Sequence, residues 1–202
     1  MSVVEILLTL ALVAPGLPPL AAAQQTPPPD AGERRRVELD EVARVASVMV
    51  DGDLCRRIMT PRALERMRTP DPRDQWSAGD NFDVHHEPYI RTKKTLMRLA
   101  RLVSYPCDVN LWMPFQDRPD RIQILIRNAH ELSQFWPWGA LDQPMIPEMK
   151  QVLENGARVT VRRKPGMISV LAPVRDSLGD IVGLVEVVAE VPGAKRQPVH
   201  AD

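Results

Sequence analysis

Hydrophobic and polar positions along this chain change their period midway. Up to about residue 103 the apolar residues recur every three or four positions, and from Val109 onward they recur every two, apart from a short helical stretch over 146–153. In the first part Leu39, Val42, Val45, Ala46 and Met49 share one helical face, with Glu38, Asp40, Glu41 and Arg44 elsewhere on the turn. The spacing predicts an amphipathic helix over 37–49. Asp51-Gly52-Asp53 follows as a turn; it lacks the further oxygen ligands and the closing Glu of an EF-hand, so it reads as backbone geometry and not as a calcium loop. Thr60-Pro61 offers an N-cap and then proline at the first helical position, which predicts a short helix from Pro61 to near Met67. A polar loop spans Thr69 to Pro88, and from Tyr89 to Val103 the helical pattern returns through Ile90, Leu96, Met97, Leu99, Ala100 and Val103.

Period two then takes over. Val109, Leu111, Met113 and Phe115 alternate with Asn110 and Trp112, and Ile122, Ile124 and Ile126 alternate with Gln123, Leu125 and Arg127, with a turn between the two runs. The spacing predicts a hairpin whose isoleucines face the core. Residues 130–145 are broken by Pro137, Gly139 and Pro144; a short helix over 146–153 ends at Asn155-Gly156, and a strand covers 157–163. Met167 to Glu190 reads as a second hairpin turning at Asp176–Asp180. Its last arm puts Ile181, Gly183, Val185, Val187 and Ala189 on one wholly apolar face, and Val182, Leu184, Glu186, Val188 and Glu190 on the other. The sum is an α+β fold: a five-stranded antiparallel sheet with a long N-terminal helix and a short crossing helix.

Composition narrows the compartment and the chemistry. Lys plus Arg equals Asp plus Glu at 26 each, which removes any global electrostatic case for nucleic acid. The apolar run Ile6–Val13, its break at Pro15-Gly16 and Ala21-Ala22-Ala23 read as a signal peptide over 1–23, although Glu5 stands where a basic residue is usual. That run is too short to span a bilayer, so the expectation is a periplasmic or secreted protein with no permanent membrane anchor. Residues 24–36 read as a disordered Pro-rich tether, 37–190 as a single domain and 191–202 as a polar tail.

The two cysteines, Cys55 and Cys107, form no CxxC, which argues against a zinc ribbon or a thioredoxin-type motif; in an oxidising compartment they become a disulfide candidate. His85 and His86 are the metal candidates, set against by the opposite directions of neighbouring side chains in extended chain. Arg91, Lys94, Arg98 and Arg101 recur at three- and four-residue spacing as a basic stripe, either a docking face for an anion or an acidic partner or an ordinary solvated face. No constellation of nucleophile, base and acid is recognisable, so the chain reads as a protein without enzymatic activity and without a cofactor.

The element order, and a last hairpin carrying Pro173, Asp176, Gly179 and Gly183, resemble extracytoplasmic PAS-like sensors of the Cache type over roughly residues 37–190. That resemblance implies a small-molecule pocket between the sheet and the segment that crosses it. Trp112, Arg127, Asn128, Trp136 and Trp138 are the implied ligand-binding residues, with Arg127 as a clamp for a carboxylate and the indoles as a seat for an apolar body or an amine. It also implies a sensor-like module acting without its own output domain, handing its signal to a partner protein such as a membrane receptor. Two other readings stay open: a structural or protein-interaction accessory with a ligand-free PAS-like fold, and a metal or haem protein.

Overall fold

The structure, a computed structural model, describes residues 30–68, 86–135 and 142–193. The helices are α1 (Ala31–Met49), α2 (Gly52–Ile58), α3 (Pro61–Arg68), α4 (Glu87–Ala100) and α5 (Pro147–Asn155). The strands are β1 (Cys107–Phe115), β2 (Arg118–Ile126), β3 (Asp142–Pro144), β4 (Val159–Val161), β5 (Met167–Arg175) and β6 (Ile181–Glu190). They build one antiparallel six-stranded sheet in the order β3-β2-β1-β6-β5-β4, so the first and last strands are partners at its centre. The α+β class stands as the periodicity predicts. The strand number does not: Asp142–Pro144, inside the segment read as irregular, pairs with Arg121–Gln123 and adds a sixth strand at the edge.

The helix α1 starts six residues inside the expected tether. Asp30 accepts a hydrogen bond from the Glu33 amide at 2.7 Å, and Glu33 pairs with Arg36 at 2.7 Å, so an N-cap and an i,i+3 ion pair nucleate the helix where composition suggested disorder. The expected signal peptide lies outside the described residues, as does the tail beyond residue 193. No helix among the described residues is long and apolar enough to cross a membrane.

Register decides what each face of the sheet can do. Asn110 pairs with Glu186, Trp112 with Leu184 and Trp112 also with Ile124, which places Asn110, Trp112, Leu184, Glu186, Ile122 and Ile124 on one face. Trp112 and those isoleucines therefore share a side, contrary to the simple alternation. A register shift between Leu111 and Trp112 breaks it, and sends Ile126 to the other face opposite Leu111. That other face carries Val109, Leu111, Val185 and Val187, and α1, α2 and α4 pack there; both faces of β6 are buried almost along its length.

The Asp51-Gly52-Asp53 turn locks the helices onto the sheet. Asp51 caps α2 through the Leu54 amide at 3.1 Å, and Asp53 accepts from the Ser177 amide at 3.0 Å. A Cβ at Gly52 would stand 2.4 Å from the Arg175 carbonyl oxygen, so only glycine lets α2 approach the hairpin backbone this closely. Within the hairpin turn Asp176 accepts from the Leu178 and Asp180 amides at 3.0 and 2.9 Å, and its buried carboxylate meets Arg56 Nη1 at 2.7 Å.

Candidate functional site

On the Trp112 face, residues 131–135 cross the sheet and end on one carboxylate. Glu186 is completely buried and accepts from Ser133 Oγ at 2.7 Å, the Gln134 amide at 2.8 Å, Ser169 Oγ at 2.9 Å, Trp112 Nε1 at 3.2 Å and Asn110 Nδ2 at 3.4 Å. A carboxylate offers about four lone-pair sites, and these donors fill them. Burial pushes the Glu186 carboxyl above its usual range, and the donors from Ser133, Gln134, Ser169 and Trp112 pull against it. Gln134 carries the tie further: its Nε2 donates to the Val161 carbonyl at 2.6 Å, and its Oε1 accepts from the Arg163 and Lys164 amides. Lys164 in turn donates to the Ser133 carbonyl at 2.8 Å, its pKa lowered by burial and lifted back in part by the Glu186 charge.

Among the described residues, the implied ligand residues Trp112 and Asn128 are spent on contacts within the protein. Trp112 is fully buried, its N–H taken by Glu186 and its ring edge-on to Phe135 at 6.1 Å. Asn128 is buried too: its amide donates to Asn110 Oδ1, and its side chain bonds the Leu96 carbonyl and the Ala129 amide. The Arg127 side chain is 11% exposed and lies 3.9 Å from Glu131. Trp136 and Trp138 lie outside the described residues.

The metal and disulfide candidates separate. His85 lies outside the described residues; His86 is half-buried at the start of α4, and among the described residues no three His, Cys, Asp or Glu side chains gather as a metal site needs. Cys55 and Cys107 are separate, unbridged thiols. Cys55 follows Gly52 at the turn end of the β5–β6 hairpin, whereas Cys107 pairs with Ala189 at the opposite end. The length of β6 between those ends, at about 3.3 Å per residue, far exceeds the roughly 7 Å that the Cα atoms of a disulfide tolerate. Burial, with a further push from Asp51 and Asp108 respectively, raises both thiols to about 12, which makes them poor nucleophiles.

One further histidine, His130, is oriented by a buried acid. Its Nδ1 lies 2.9 Å from Asp108 Oδ1, and Asp108 also accepts from the His130 amide at 3.1 Å and the Leu132 amide at 2.8 Å. Asp108 thus fixes the start of the crossing segment, as Glu186 fixes its end.

A cavity does open at the turn end of the sheet. It has a volume of about 410 Å³, with apolar walls from Met59, Leu64, Met113, Pro114, Ile181 and Val182, and with Arg56, Gln116 and Asp117 at its polar side. Gly183 makes room for one wall, because a Cβ there would stand 2.5 Å from Met113 Sδ. Behind that wall Gln123 is fully buried and donates to Met59 Sδ, while its Oε1 has no hydrogen-bond partner. Sequence reasoning passed over Arg56, Gln123 and Glu186. Glu186 alone had a visible signal, an acid on the inner strand of an apolar hairpin; Arg56 and Gln123 depend on tertiary approach that no spacing encodes. The sequence matches no known protein family and no curated protein.

Proposed function

We propose that this chain is a non-catalytic, small-molecule-binding module of PAS-like, Cache-type architecture working in the periplasm or outside the cell. Its ligand is a small carboxylate with an apolar body, held in the cavity at Arg56. The observation that carries this reading is the pairing, in one cavity of about 410 Å³, of apolar walls with the exposed part of a single guanidinium. Pockets of that size, mostly apolar and with few polar groups, are what small ligands occupy. Arg56 is held beside Asp176 as an ion pair at 2.7 Å, and its side chain stays about half exposed, with N–H donors left for a carboxylate, a geometry that suits bidentate recognition. The long α1 on an antiparallel sheet and the crossing segment fit the Cache resemblance. A module of this kind passes its signal to a partner protein.

The test is a melting-temperature series with straight-chain carboxylates and the matching neutral amides. A true ligand at a hundred times its dissociation constant adds about 2.7 kcal/mol. Stabilisation by the acids, absent with the amides and absent in Arg56→Gln, is the expected result; no shift with either series rejects the reading.

One observation favours a second reading, a protein-interaction or structural accessory with a ligand-free fold. The donors of Trp112 and Ser169 on the sheet and of Ser133 on the crossing segment are all spent on Glu186, so that face acts as a packed core. A protein that binds no carboxylate but associates with a second protein through its surface would be this accessory.

A further inference from the structure

Beyond the Arg56 cavity, the basic stripe on α4 acquires a shape. Arg91, Thr92, Lys94, Thr95 and Arg98 form one wall of a groove of about 330 Å³, and Met49, at the end of α1, stands on the other. Arg91 to Arg98 spans roughly 10 Å of helix at about 1.5 Å per residue. The groove's three cations face a single acid, Asp51, whose carboxylate is already engaged with the Leu54 amide, while the whole chain is neutral. Positive charge is therefore concentrated locally.

Two further features separate this groove from a plain solvated face. Arg91 has an ion pair with Glu87 at 3.3 Å, but Lys94 and Arg98 reach no carboxylate among the described residues. Met49 is 59% exposed beside them, and the preceding Val48 is 77% exposed, an unusual pair of large apolar surfaces at the end of a helix. Cations alone suit any polyanion. Cations next to an exposed methionine suit a polypeptide carrying both acids and apolar side chains.

We propose that this groove docks an acidic, amphipathic segment of a partner protein, with carboxylates on Lys94 and Arg98 and an apolar side chain on Met49. The experiment is fluorescence polarisation of the full chain with a fluorescein-labelled peptide of repeated Glu-Glu-Leu, next to an all-Glu peptide and heparin. The Glu-Glu-Leu peptide binds, Lys94→Glu with Arg98→Glu weakens it at least about tenfold, and Met49→Ser weakens it about threefold. All three side chains are exposed, so unchanged melting temperatures confirm that the variants fold. Failure of the peptide to bind overturns the proposal, as does binding indifferent to the charge reversal. Equal binding of heparin and the all-Glu peptide, unaffected by Met49→Ser, reassigns the groove to polyanions and also overturns it. The titration contains no small carboxylate, so its outcome is independent of the Arg56 cavity.

Discussion

The Trp112 indole N–H ends on the Glu186 carboxylate, 3.2 Å from Oε2, with both residues fully buried. That bond turns one of the ligand-binding residues implied by the sequence into part of a closed hydrogen-bond hub. Glu186→Ala leaves the Trp112 and Gln134 donors buried without acceptors, and costs at least about 3 kcal/mol of stability in denaturant unfolding. A loss below about 1 kcal/mol would mean that the hub is wet or loosely held.

The same carboxylate gives a pH signature. Burial raises the folded pKa of Glu186 above 4.5, so its contribution is full below 4.5 and is lost as pH rises through the raised value. Asp40 has the opposite sign: its hydrogen bond to Arg158 lowers its pKa below 3.8, so its contribution is present above 3.8 and is lost as pH falls through the lowered value. Melting curves against pH separate the two. The wild type loses ground to Glu186→Gln as pH rises from about 4.5. Asp40→Asn is less stable than wild type near neutrality, and the gap closes in acid.

Gly52→Ala forces a methyl group to within 2.4 Å of the Arg175 carbonyl oxygen, and backbone on both sides leaves little room to yield. We expect a loss of about 1–3 kcal/mol, read from the denaturation midpoint, whereas the exposed Leu178→Ala in the hairpin turn that Gly52 meets stays within about 0.5 kcal/mol. Equal stability of the two variants would contradict the α2–hairpin contact.

Cys55 and Cys107, both buried and raised to about 12, resist maleimide in the folded protein at neutral pH and react together once denaturant is added. Reducing agent leaves the melting temperature unchanged. A reductant-sensitive melt would restore the disulfide.

These contrasts show where the sequence was legible. The helix over 37–49 and the long hairpin from Met167 were readable because their apolar residues hold one period for several turns, so burial leaves a direct imprint. The strand Asp142–Pro144 was not, since its three residues are held by pairing with β2 and carry no alternation of their own. The bulge beside Trp112 shifted which isoleucines share its face, a change made by register and not by residue type. The disulfide looked plausible from compartment and number, and failed on distance. Arg56 comes to the cavity as Asp176 and Gly52 draw α2 against the hairpin, a meeting of two segments far apart in the chain.

The most direct test of the ligand site uses methionine methyl groups as reporters. In methyl-labelled protein titrated with hexanoate, the Met59 and Met113 resonances on the cavity wall move and saturate together, while Met149, buried in α5, stays fixed; Arg56→Gln abolishes the movement. Movement of Met149 with Met59 and Met113 unmoved would place the ligand across the sheet, and contradict the Arg56 site.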